Sequence, residues 1–215
     1  MEELAVVTTR SRSRVGLVVA VVVVLGVLAG GGYLAWQAWG SVGPTRAEAV
    51  REVAGLRTRW EAGDAALRPG EAAWIVRIPA SGETVEWPVR VGVDAPQLDG
   101  GLGWYPGSAL PGEVGNLAMA GRWFTGGEPL RGWFDLPVGG VIEVETESAT
   151  FTYTITSAPA SLTVGRDDSW VLDPVPGRPD QPPTQALLTL TTHEDLVPTG
   201  DVSVAFAVLT GTEKK

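Results

Sequence analysis

Apolar and polar residues alternate with a period of two in short stretches spread from Trp74 to Val208. In Thr150-Phe-Thr-Tyr-Thr-Ile-Thr156, Phe151, Tyr153 and Ile155 fall on one face and four threonines on the other. Trp74–Pro79, Glu86–Val91, Val141–Thr146, Ala186–Thr192 and Val202–Val208 have the same habit. A period of two with β-branched and aromatic residues predicts half-buried strands. Gly and Pro punctuate the intervals, and many short strands with turn signals predict an all-β barrel or sandwich. Residues 157–185 are Pro-rich and acidic without a period, a loop of the length usually found in functional or mobile segments.

Upstream the pattern changes. Residues 15–39 carry no charge, and as a helix they would span about 37 Å, enough to cross a hydrocarbon core of about 30 Å. Arg10, Arg12 and Arg14 precede the run and place the N-terminus in the cytoplasm, while Tyr33, Trp36 and Trp39 suit the outer interface. The run exceeds the apolar core of a cleaved signal peptide, and bulky aromatics crowd the place where cleavage would occur, so it predicts an uncleaved single-pass anchor. Residues 45–68 predict a charged helix or stalk, with Val50, Val53 and Leu56 on one stripe, and Arg68-Pro69-Gly70 ends it. The expected organisation is a basic cytoplasmic tail (1–14), a transmembrane helix (15–39), a stalk or linker (40–70), an extracellular barrel domain (71–210) and a short tail (211–215).

Charge and composition narrow the chemistry. The chain of 215 residues has a net charge of −9, and beyond Trp39 it carries 13 basic against 23 acidic residues. A domain of that sign repels phosphates, which argues against nucleic acid as a partner. Cysteine is absent, which removes disulfides, thiolate metal ligands and thiol nucleophiles together. Gly100-Gly101-x-Gly103 lacks the Lys-Ser/Thr of a phosphate loop and is expected to be a turn. Asp167, Asp168, Asp173, Glu194 and Asp195 lack calcium-loop spacing and suit a solvated face. The one histidine, His193, is too few for a zinc site. No metal and no cofactor is expected.

Three segments together resemble the sortase family, most of all its class E type. The tract Leu102-Gly-Trp-Tyr-Pro-Gly-Ser-Ala-Leu-Pro-Gly-Glu-Val-Gly-Asn-Leu-Ala-Met-Ala-Gly121 is similar to the family's G-x-x-P-G-T-A-x-P-G-x-x-G-N-x-x-x-A-G-H. Trp133–Glu145 resembles the segment leading into a barrel strand, and Leu188-Thr-Leu-Thr-Thr192 the strand that ends in T-L-x-T-C. The resemblance runs from about Ile75 to Leu209. It implies a closed β-barrel of about eight strands tethered at the membrane. In active members a cysteine attacks the threonyl carbonyl of a sorting signal, an amine resolves the thioacyl enzyme, a histidine moves protons and an arginine steadies the oxyanion.

All three of those positions differ here. Arg122 stands where the family has histidine, His193 where it has cysteine, and Asp201 or Val202 where it has arginine. Arg122 stays protonated and cannot cycle a proton. Asp201 would oppose a developing oxyanion, and Val202 offers it no donor. His193 is either a nucleophile or base, which would favour hydrolysis through an acyl-imidazole, or a polar side chain filling the space of the missing cysteine. Activation of Thr191, Thr192 or Ser108 as nucleophile needs a geometry that the spacing leaves open. Arg122 is expected to pair with Asp201, Glu194 or Asp195, or else to bind a partner's carboxylate. Met119, Trp104, Tyr105, Trp123 and Trp133 are expected in the core or the cleft wall. Arg122 and His193 should floor one cleft, with side chains within about 10 Å.

The resulting expectation is an inactive, membrane-anchored pseudo-sortase on the cell surface. It would bind a sorting-signal-like peptide or scaffold a cell-surface protein. The alternatives are an atypical hydrolase or acyl transferase using His193, and an inert structural domain.

Overall fold

The computed structural model describes residues 46–80, 83–123, 127–193 and 200–215, with the side chains at 79–80, 83–84 and 193 outside that description. The apolar run at 15–39 and its basic flank lie outside the described residues. Among the described residues, no helix is long and apolar enough to cross a membrane.

The alternating stretches all become strands: β1 (Ala72–Ala80), β2 (Glu83–Val91), β3 (Leu102–Trp104), β4 (Gly115–Ala120), β5 (Val141–Glu145), β6 (Ala149–Ser157), β7 (Thr163–Gly165), β8 (Ala186–His193) and β9 (Asp201–Lys214). They form one sheet in the order β6-β5-β1-β2-β3-β4-β8-β9-β7, and a further β6–β9 pairing closes eight of them into a barrel. Closure follows from the length of β9: its first residues pair with β7 and its later ones, from Phe206 to Lys214, with β6. The ring is antiparallel except where β2 meets β3 and β4 meets β8. Inward positions fill the lumen with Val89, Leu117, Met119, Ile142, Tyr153 and Leu190, each at most 1 % exposed. Burial of one such side chain contributes about 1.5–3 kcal/mol. Trp133 enters the same core and keeps its indole satisfied: Nε1 donates to Ser203 Oγ at 3.0 Å, and that hydroxyl donates to the Pro159 carbonyl at 2.8 Å.

The segment before the barrel is a docked helix rather than a stalk. Helix α1 (Arg46–Glu61) buries Ala49, Val53, Leu56 and Trp60, a 4-3-4 spacing that stays on one face at 3.6 residues per turn. The expected stripe of three-residue steps drifts off that face, and Val50 is accordingly 55 % exposed. Polar contacts fix the orientation. Arg57 forks onto Glu86 with both contacts at 2.8 Å and reaches Glu145 at 2.8 Å. Arg59 donates to Glu71 at 2.9 Å and to the Ala72 carbonyl at 2.6 Å. At the other end β9 runs on through the expected tail, and Lys215 Nζ lies 2.7 Å from Glu145 Oε1 and 4.6 Å from the Trp60 ring centroid. Burial would raise the Glu145 carboxyl, but hydrogen bonds from Arg57 and Lys215 outweigh it and bring it down to about 2.

The long segment 157–185 is pinned rather than loose. It contains β7, a 3-10 turn at Pro159–Ser161 and another at Ser169–Leu172. Val164 and Val171 pack on Val204 of β9 in a small cluster. Asn116 Nδ2 donates to the carbonyls of Val171 at 3.1 Å and Asp173 at 2.9 Å, while Thr189 Oγ1 donates to Asn116 Oδ1 at 2.8 Å. The tract at 105–114 is held against β6. Gly112 N–H donates to Tyr153 Oη at 2.8 Å, and a side chain at Gly112 would put Cβ 2.1 Å from the Phe151 ring.

Candidate functional site

The site begins at the parallel pair β4–β8. Ala120 is paired with Thr191, and Gly121 N–H donates to the Thr191 carbonyl at 3.0 Å. The chain therefore reaches Arg122 and the backbone position of His193 at the same end of adjoining strands. A Cβ at Gly121 would sit 2.9 Å from the Leu130 side chain, so glycine lets residue 122 emerge where Leu130 covers the barrel end. The His193 side chain lies outside the described residues, and with it the expected separation from Arg122.

Strand parity divides the end of β8 into two faces. Leu188 and Leu190 enter the core, and Thr192 follows them at 3 % exposed. Its Oγ1 has no hydrogen-bond partner among the described residues. Thr189, Thr191 and the register position of His193 share the other face. Thr189 lies under the Asn116 clamp, and Thr191 Oγ1 is 3.5 Å from Tyr105 Oη. Across the β8–β9 ladder, His193 is paired with Val202 and Thr192 with Ser203. Asp201, the other candidate for the family's arginine position, opens β9 opposite Gly165 of β7 and is exposed.

Arg122 is held in part by an acid the sequence did not single out. Its Nε lies 3.4 Å from Asp99 Oδ1, with both side chains about one-third exposed. Of the expected partners, Glu194 and Asp195 lie outside the described residues. Asp99 sits just after helix α2 (Ala95–Leu98), in a turn whose Asp94-Ala95-Pro96 start is a helix signal but whose spatial neighbour no spacing rule reveals. The Gly100-Gly101-x-Gly103 stretch forms the turn into β3, as expected. Trp104 and Trp133 are core residues, and Trp104 stacks edge-on against Trp74 at 5.2 Å. Trp123 lines the barrel end in an edge contact of 5.6 Å with Phe134.

Chemically this end presents a permanent cation at 122 beside an acid, an apolar residue at 202 and hydroxyls at 191 and 192. No thiol exists anywhere in the chain. Sortase thioester chemistry has no nucleophile here.

The sortase domain profile matches residues 76–207. The chain belongs to the sortase family. It is 28 % identical over 203 residues to Sortase SrtE1 of Streptomyces coelicolor, covering 87 % of this chain and 53 % of the relative. The chain thus spans about half the length of that sortase. Among solved structures it resembles sortase E from Streptomyces avermitilis, with 31 % identity and a TM-score of 0.61 over 68 % of this chain and 93 % of that one. It also resembles Sortase E1 from Streptomyces coelicolor with a tripeptide in the active site, at 26 % identity and a TM-score of 0.59 over 69 % and 94 % of the two chains. The barrel, its closure and the class E likeness agree with the expectation from sequence.

Proposed function

We propose that this protein is a sortase-family pseudoenzyme, anchored by residues 15–39 with its N-terminus in the cytoplasm and its barrel outside the cell. Its cleft binds a sorting-signal-like peptide or a cell-surface protein without joining it to anything. The observation that carries the reading is the missing cysteine, because no other side chain supplies both the attacking group and the amine-displaceable leaving group of thioacyl transfer. Two further features support it. Arg122 cannot exchange a proton in place of histidine, and Val202, directly across from His193, gives an oxyanion nothing to bind.

Peptide binding is supported by what survives. The family-like tract from Leu102 to Gly121, the β4–β8 pairing and the segment clamped by Asn116 are all retained. The Streptomyces coelicolor relative holds a tripeptide in its active site. The deciding experiment mixes the protein with an LPxTG- or LAxTG-type peptide and an amine acceptor, and follows both binding and product. Binding without turnover is the expected result. Turnover that disappears in His193→Ala would replace this reading with the hydrolase alternative, and absence of both would favour an inert domain.

A further inference from the structure

Arg90 lies on β2, inside the wall of the barrel, and its side chain is only 10 % exposed. Its guanidinium reaches two elements. Nε donates to Glu52 Oε1 at 2.9 Å and Nη2 pairs with the second oxygen, so α1 grips one edge as a bidentate fork. Nη1 donates to the carbonyls of Gln97 at 2.8 Å and Asp99 at 2.7 Å. Both carbonyls belong to the α2 turn. The carboxylate of the same Asp99 reaches Arg122 at the end of β4.

The turn between these contacts has little room to absorb a displacement. A Cβ at Gly103 would meet the Gly92 carbonyl at 2.2 Å, and one at Gly101 would meet the Pro88 carbonyl at 2.5 Å. Gln97 lies over Gly92, its Cγ 3.5 Å from where a Cβ would be. Packing this close transmits a shift instead of damping it.

We infer that docking of α1 sets the position of the Arg122 guanidinium, with Glu52, Arg90 and Asp99 as positioning residues. A buried guanidinium is stable only while its charge is matched. When Glu52 leaves, Arg90 turns toward water and releases the two carbonyls that orient Asp99. Whatever lifts α1 from β1 and β2 therefore reaches the barrel end that carries Arg122. This holds whether or not the cleft binds a peptide.

The test uses the full chain in detergent micelles, 15N-labelled at arginine and tryptophan, with solvent exchange of the Arg122 Nε–H and the Trp133 Nε1–H measured by NMR. Asp99→Asn, which takes the carboxylate charge from beside Nε, should raise exchange at Arg122 severalfold. Glu52→Gln should raise it in the same direction, and Glu52→Arg, which sets like charge against Arg90, should raise it more. Trp133, bonded to Ser203 deep in the core, should not change. Arg122 exchange that stays at the wild-type rate in both Glu52 variants would overturn the inference. So would exchange at Trp133 rising in step with Arg122, because the effect would then be a general loss of fold.

Discussion

Val202 stands directly across the β8–β9 ladder from His193. The resemblance puts the family's arginine near this place, at the start of the last strand, and here the register position across from residue 193 carries an apolar residue. The proposed reading is that the family's frame is kept here without its catalytic groups. A single His193→Cys change should leave peptide turnover at background, because Arg122 still cannot transfer a proton. A triple change, Arg122→His with His193→Cys and Val202→Arg, should give measurable turnover if the barrel frame has kept its registration. Turnover from His193→Cys alone, read by peptide cleavage, would contradict the assignment of Arg122 to the proton-transfer position.

The Glu145 cluster predicts an acid limit to stability. Its carboxyl is held at about 2 against an ordinary 4.5. The folded state thus favours the charged form, and that contribution is fully present above pH 4.5 and is lost as pH falls toward 2. Glu145→Gln should lower stability by about 3 kcal/mol near neutral pH and flatten the decline between pH 4.5 and 2. Denaturant melts of both proteins across that window measure it, and parallel pH profiles would show that the cluster is not the cause.

The clamp from β4 predicts a local effect. Asn116→Ala removes two hydrogen bonds to the Val171 and Asp173 carbonyls and the acceptor of Thr189. Thr189 Oγ1 and the Val171 carbonyl keep each other as partners at 3.1 Å, so the main loss is at the Asp173 carbonyl, where a buried group left unpaired costs about 1–3 kcal/mol. Protease should then cut within 173–183 much faster than in the wild type, while β5 and β6 stay protected. Unchanged cutting there would show that the Val164–Val171–Val204 packing holds the segment alone.

The strands were legible because alternation reports a half-buried surface directly, as in Phe151, Tyr153 and Ile155. The shared end of β4 and β8 was legible through long motifs that place Arg122 after Gly121 and His193 after Thr192. What stayed hidden depends on contacts distant in sequence. Nothing in Asp99 marks it as a partner of Arg122, since the pair forms only when β3 brings the α2 turn beside β4. Helix α1 was legible as a helix but not as a docked one. Its charged residues suit a solvated stalk equally well until Glu86, Glu145 and Arg90 are found facing them. The last residues looked like a tail because Gly211, Glu213, Lys214 and Lys215 carry no strand signal, yet the ladder with β6 extends to Lys214.

The proposed anchor at residues 15–39 predicts a topology. The protein should sediment with membranes and resist extraction by high salt. Protease added to wall-stripped cells should remove the acidic domain and spare about the first 40 residues, the length of one span with its flank. A soluble product beginning near Gly40 would show that residues 15–39 are cleaved and would remove membrane tethering from the account.

The central claim is a retained cleft without catalysis, and turnover measures it most directly. The full chain in detergent, incubated with a sorting-signal peptide and an amine nucleophile, is followed by mass spectrometry for both the hydrolysed and the amine-linked product. The account predicts neither product above a protein-free control, with the wild type and His193→Ala indistinguishable. Either product formed by the wild type and lost in His193→Ala would contradict it, and would make His193 the catalytic group of a working enzyme.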